Sequence, residues 1–158
     1  MSRSPAAGRA WRLALVLCGL IVAADQGSKA AIQSSLVPGE RVSVIPGLHL
    51  TDVHNKGIAF GLAGGGGTGL VILTCVALAL ILVLFARYAD RPGLWIPVGL
   101  LAGGAFGNLA DRVRIDSVTD FIDLPLWPAF NVADIAIVLG VAGLAFVFME
   151  EPAAQESG

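Results

Sequence analysis

Long apolar runs and short polar clusters alternate along this chain, and the clusters fall at the rims of the runs. Four stretches are apolar almost throughout: Trp11–Ala24, Gly69–Ala86, Gly93–Ala110 and Asn131–Met149. A helix needs about 20 residues, within a range near 17–25, to cross the hydrocarbon of a bilayer. The last three stretches suffice alone, and the first suffices if it runs on through Asp25 to about Ile32. The pattern therefore predicts spans at about 11–32, 69–86, 93–110 and 131–149.

Between the first two spans the period changes. Arg41–Ile45 alternates polar and apolar residues, Pro46-Gly47 is a turn, and Leu48–Val53 alternates again. Period-2 runs split by Pro-Gly predict a small antiparallel sheet. Asn55-Lys-Gly57 is a second turn after which Ile58–Leu62 can add a strand, giving a β-cradle over about 36–62. Gly64–Gly67 then breaks the chain. The expected fold is a mainly α membrane protein, four transmembrane helices with an extracytoplasmic β-cradle. It forms a single domain over 1–150, and the acidic 151–158 is a disordered tail.

Composition agrees. Of 158 residues, 56% are apolar and 14% charged, and the mean hydropathy is +0.79. Soluble domains average about 45–50% apolar and about 25% charged. The net charge of −2 argues against a nucleic-acid partner. Cys18 and Cys75 fall within spans, where they act as small apolar residues. Arg3, Arg9 and Arg12 before the first run resemble a signal-peptide layout, but Asp25 and Lys29 argue for a retained helix. The positive-inside bias acts through basic residues crowded at helix ends. Those crowded residues are Arg3, Arg9, Arg12, Arg87 and Arg91, so both termini are expected in the cytoplasm.

Polar residues at membrane depth are costly and functional by default. Asp25 and Lys29, at i and i+4, share a helical face; the plain expectation is an interfacial ion pair with Lys29 snorkelling to the headgroups, and the alternative is that Lys29 pairs with another buried carboxylate or orients a substrate headgroup. Asn108, Asp111 and Arg112 also share a face, with Arg112 able to steady a carboxylate bidentately. Asn131 and Asp134 have capping-box spacing, and capping by Asn131 is compatible with chemistry at Asp134. Asp120 is one of several loop acids, set among strand-forming neighbours. On spacing alone, Asp134 and Asp111 are the first candidates for acid–base work. His49 and His54 could bind zinc, but their spacing does not require it. No metal or other cofactor is expected.

Five blocks change the weighting. Asp25-Gln-Gly-Ser-Lys29, Asn55-Lys-Gly-Ile-Ala-Phe60, Gly107-Asn-Leu-Ala-Asp-Arg112, Val118-Thr-Asp-Phe121 and Phe130-Asn-Val-Ala-Asp134 together resemble the bacterial lipoprotein signal peptidase family, signal peptidase II. The resemblance implies an inner-membrane aspartyl endopeptidase that cleaves prolipoproteins before the cysteine bearing diacylglycerol. It implies a catalytic pair at Asp120 and Asp134. Asp25, Lys29, Asn55, Gly57, Asn108, Asp111, Arg112 and Asn131 then support the site or contact substrate. The implied partners are diacylglyceryl-prolipoproteins and membrane lipid, with the protein a monomer and the site extracytoplasmic. The rival is a small transporter whose aspartates relay protons. It predicts acids spread through the membrane depth or inverted repeats, whereas these acids lie at helix ends and no repeat is visible.

Overall fold

The computed structural model describes residues 4–57 and 68–149. The expected strand at Ile58–Leu62, the glycine break at Gly64–Gly67 and the tail at 151–158 lie outside the described residues. Within them the chain runs α1 (Pro5–Ser35), β1 (Arg41–Ile45), β2 (Leu48–Asn55), α2 (Thr68–Tyr88), α3 (Trp95–Ile115), β3 (Val118–Asp123) and α4 (Val132–Met149). Three of these helices, α1, α2 and α4, are long and apolar enough to cross a membrane. The protein is a multi-pass membrane protein.

Helix α1 starts at Ser4, whose hydroxyl caps Ala7 N–H, with Pro5 at the first helical position, where a missing N–H costs nothing. It extends beyond the predicted 11–32 at both ends. Helix α3 is displaced from the predicted 93–110. Pro92-Gly93 delays its start, and it continues through Arg112 and Arg114 because Asn108 and Asp111 face the bundle rather than water. Asp116, in the left-handed conformation at φ 54°, stops it and turns the chain into β3.

Helix α3 is the central element, packed between α1 and α4. Small residues let membrane helices approach closely, and the stripe Gly99, Gly103, Gly107, each four apart, serves that end. A Cβ at Gly103 would sit 2.7 Å from Ile21 Cβ, and one at Gly107 would sit 2.6 Å from Asp25 Oδ2. The α4 side uses two glycines outside the stripe. A Cβ at Gly104 would meet Ala133 O at 2.4 Å, and one at Gly140 would meet Leu101 at 2.6 Å. Helix α2 packs against α3, and its buried Phe85 lies 4.6 Å from the Trp11 ring.

The sheet has the order β1-β2-β3, antiparallel throughout. The predicted hairpin is present, with Gly47 at φ 84° in the two-residue turn. Its third strand comes from far along the chain. Val118–Asp123 pairs with β2, setting Val53 opposite Asp120 and Asn55 opposite Val118. After β3 the chain doubles back, and Phe130 exchanges hydrogen bonds with Ile122 at 2.8 and 3.0 Å. That return delivers Asn131 and the start of α4 alongside Asp120.

Close helix contact makes α3 intolerant of added volume. Gly104→Ala is expected to destabilise the fold by about 1–3 kcal/mol, the usual cost of overpacking. Gly19→Ala, with nothing within 4 Å of the added Cβ, is expected to be neutral or mildly stabilising. Thermal unfolding of both variants in detergent checks the contrast, and equal losses would refute the close-packing account.

Candidate active site

Where β3, the end of α3 and the start of α4 meet α1, a set of polar side chains is closed off from solvent. Asp25, Lys29, Asn108, Asp111, Thr119, Asp120 and Asn131 are all buried. Unpaired, each would cost free energy comparable to a lost hydrogen bond or more, and the partners are accordingly specific.

Lys29 Nζ has three acceptors: Asp25 Oδ2 at 2.8 Å, Asp111 Oδ2 at 2.9 Å and Asn108 Oδ1 at 3.1 Å. An ammonium has three donors and no acceptor, so its capacity is filled. The expectation that Lys29 snorkels to the headgroups is corrected here, in favour of the alternative that it pairs with a second buried carboxylate, Asp111. Two carboxylates and an amide oxygen on neighbouring helices hold it inside, which water at the interface could not better. Asp111 also accepts from Gln26 Nε2 at 3.0 Å, Arg114 at 2.9 Å and Thr119 N–H at 3.2 Å. Asp25 Oδ1 accepts Ala133 N–H at 3.0 Å, satisfying an open donor at the N-terminus of α4.

Arg112 also departs from expectation. Its guanidinium donates to Asn108 O at 3.3 Å, and the arginine on Asp111 is Arg114. Arg112 follows Asp111 directly, and neighbours at i and i+1 do not face each other on a helix, whereas Arg114 at i+3 does.

From Lys29 the order passes outward. Because the ammonium needs an acceptor, Asn108 must present Oδ1 to it, which turns Nδ2 toward Asp134 Oδ1, at 2.8 Å. Asn131 forms the anticipated capping box: its Oδ1 accepts Asp134 N–H at 3.0 Å, and its own N–H donates to Asp134 Oδ2 at 3.1 Å. With Oδ1 occupied, Asn131 Nδ2 is left to donate to Asp120 Oδ1 at 2.7 Å. The other Asp120 oxygen accepts from Asn55 Nδ2 at 2.9 Å. Asn55 is oriented in turn by Gly57, whose N–H donates to Asn55 Oδ1 at 2.8 Å. Gly57 sits at φ 71°, a left-handed backbone conformation that favours glycine.

Two carboxylates, Asp120 and Asp134, thus flank one asparagine. Burial pushes the Asp120 carboxyl up, and the neighbouring Asp134 charge adds to this, while the Asn55 and Asn131 donors and the Lys29 charge oppose it. The result is a value of about 6. Asp134 occupies the first turn of α4, where the helix dipole favours negative charge. It also lines a cavity of about 260 Å³ with Trp127, Phe130, Ile135, Val138 and Leu139. A poised acid beside a carboxylate, at the end of an apolar groove, suits acid–base hydrolysis of a membrane-borne substrate.

Gln26 and Thr119 belong to this network but were not legible in the sequence, since only the fold brings α1 against Asp111 and β3. A second buried group stands apart. Asp52 Oδ1 accepts no hydrogen bond among the described residues and lies 3.4 Å from His54 Nε2. His54 Nδ1 lies 3.4 Å from Ser117 Oγ, and His49 Nδ1 lies 3.2 Å from Arg41.

Removing the central cation leaves two buried carboxylates without their shared counter-charge, and breaking a buried pair in this way costs about 3–5 kcal/mol. Lys29→Met is expected to lose that much stability, while Arg114→Ala, at the exposed end, is expected to lose about 1 kcal/mol or less. Thermal unfolding in detergent measures both, and comparable losses would remove Lys29 from its central position.

Comparison with known proteins agrees with this architecture. A family model described as signal peptidase (SPase) II matches residues 17–150. The lipoprotein signal peptidase of Moorella thermoacetica is 46% identical over 130 residues, covering 80% of this chain and 86% of the relative. That of Pelotomaculum thermopropionicum is 40% identical over 138 residues, covering 86% and 91%. A solved bacterial membrane enzyme superposes with a TM-score of 0.81 at 28% identity, covering 92% of each chain. A second gives 0.73 at 26% identity, covering 88% of this chain and 94% of the other.

Proposed function

The chain belongs to the signal peptidase II family of aspartic peptidases, which cleave signal peptides from lipoproteins, and we propose that Asp120 and Asp134 are its catalytic dyad. The observation that carries the assignment is Asn131. One residue donates through its side chain to Asp120 at 2.7 Å and through its backbone to Asp134 at 3.1 Å, holding two carboxyl groups about a single point.

Asp111, the rival from spacing, is engaged by Lys29, Arg114, Gln26 and Thr119. Those partners suit a structural anion rather than a proton donor. Asp120 serves as the acid and Asp134 as the base. Asp134 draws a proton from a water, which attacks the scissile carbonyl. Asp120 donates a hydrogen bond to the carbonyl oxygen and then helps protonate the leaving amine. Because the two carboxyls titrate together, apparent pKa values belong to the pair.

Asp25, Lys29, Asn108 and Asn131 orient the dyad, Asn55 and Gly57 fix the acid, and Arg112 stands at the rim. The single domain over 1–150 works as a monomer in the bacterial cytoplasmic membrane, with both termini in the cytoplasm and the site on the outer side. The substrate is a diacylglyceryl-modified prolipoprotein, cut before its lipidated cysteine. A site at the membrane edge receives that bond already concentrated and oriented, an advantage worth several kcal/mol (roughly 7–11 at the upper limit). The proton-relay reading has no support in the family or the fold.

Cleavage of a lipidated prolipoprotein by purified protein tests the dyad. Asp120→Asn and Asp134→Asn are each expected to lose at least about 10³-fold in kcat, with unfolding temperatures close to wild type. Asp111→Asn is expected to lose stability first. Activity surviving Asp120→Asn but not Asp111→Asn would move the dyad.

The pH profile supplies a separate check. Asp120 acts in its protonated form, so activity falls as pH rises through its pKa. Asn55→Ala removes a donor that favours the charged form, so Asp120 should hold its proton to higher pH. The alkaline limb of kcat/KM is therefore expected to move upward; a downward move would exclude Asp120 as the acid.

A further inference from the structure

We infer that the Leu124–Phe130 loop and the outer face of α4 form a slot for an acyl chain of the substrate, with Trp127 as its lip and Leu126 seated in lipid. The inference rests on the proposed reading of Asp120 and Asp134 and adds the place where the lipid part of the substrate lies.

Two independent features lead to it. The first is the turn after β3. Trp127 N–H donates to Leu124 O at 3.3 Å, Pro125 takes the second position, and Leu126 the third with φ 65°. Proline followed by a positive φ makes this a type II turn, whose third position favours glycine or asparagine. A leucine is strained there, and this one is fully exposed at 105% of the reference area, beside Trp127 at 66%. In water both properties are unfavourable. In hydrocarbon the side chain becomes an asset, because its apolar surface leaves water. An indole beside it at the headgroup level is a usual membrane-interface anchor.

The second feature is the groove. Of its six lining residues, five are apolar, and the exception is Asp134. Ile135, Val138 and Leu139 stand at i, i+3 and i+4, on one face of α4. At 1.5 Å of rise per residue the groove runs about 7.5 Å down from Asp134. It begins at the proposed catalytic base and descends along a helix apolar enough to span the membrane.

The chemistry of this wall selects the occupant. A peptide strand laid here would face apolar side chains with unpaired N–H and C=O groups, which is costly at membrane depth. An acyl chain has no such groups and fits without desolvating anything but Asp134. A chain seated in the slot sets its glyceryl end beside Asp134, so the lipidated residue arrives next to the dyad.

The test uses a prolipoprotein peptide carrying either dipalmitoyl- or dibutyrylglyceryl. Val138→Trp fills the groove from a helix face that already meets lipid, so folding is spared. It is expected to lower kcat/KM at least tenfold more for the dipalmitoyl than for the dibutyryl substrate. Leu126→Gly relieves the turn and should raise the unfolding temperature while lowering kcat/KM for the dipalmitoyl substrate several-fold. A purely structural role would move both quantities together.

A binding measurement stands apart from activity. In a Trp11→Phe, Trp95→Phe background, a substrate analogue brominated in its acyl chains is expected to quench Trp127 fluorescence. Unbrominated substrate should relieve that quenching. Equal loss on both substrates in Val138→Trp would place the peptide in the slot and overturn the inference. Quenching by brominated bulk lipid that substrate fails to relieve would also overturn it. Failure of the dyad reading shows differently, as Asp134→Asn cleaving both substrates at the wild-type rate, and Trp127 quenching would still decide the slot.

Discussion

One ammonium group inside the bundle organises the polar interior. Lys29 Nζ lies within 3.1 Å of oxygens from Asp25, Asp111 and Asn108, so α1 and α3 are tied by charge as well as by close packing. The two buried carboxylates are balanced by the buried Lys29 and, for Asp111, by Arg114 reaching in from the exposed side, which makes the burial tolerable. A lysine can only donate, and that asymmetry is handed outward. It sets which end of the Asn108 amide faces inward, and so which end faces Asp134. Asn131 repeats the device, spending its oxygen on the α4 cap and leaving its NH₂ for Asp120.

The two carboxyls consequently experience different surroundings although they are neighbours. Asp134 lies at the start of a helix, with a backbone N–H and an amide aimed at its oxygens. Asp120 lies on a strand, and its burial raises it to about 6. Two carboxyls whose environments differ in this way can divide the roles of acid and base. The supports come from every direction: β2 through Asn55, α3 through Asn108 and α4 through its cap. Rigid elements rather than loops thus hold both acids, which keeps the geometry of the proposed hydrolytic site within tight limits.

Much of the architecture was legible in the chain. The four apolar stretches became four helices, because period and length are local properties that a bilayer reads directly. The Arg41–Val53 hairpin followed from alternation and a Pro-Gly turn. The capping box of Asn131 and Asp134 followed from their three-residue spacing. Ion pairing of Asp25 with Lys29 was also a matter of spacing. Its burial was not, since nothing local says that a lysine one turn from a helix end will meet two more acceptors from α3.

What spacing could not provide was the third strand and the partner choices made through it. Val118–Asp123 joins β2 across more than sixty residues of sequence, and only that pairing brings Asp120 to Asn55. Gln26 and Thr119 enter the network through contacts between elements, which periodicity within one helix does not report. Spacing alone ranked Asp111 above Asp120, and only the resemblance to a known family reversed that order. The sequence by itself determined the membrane spans, the hairpin and the set of polar residues at the helix ends. Only the tertiary structure decided which of those acids is neutralised by cations and which is left poised, because that depends on which oxygens lie within three ångströms of Lys29.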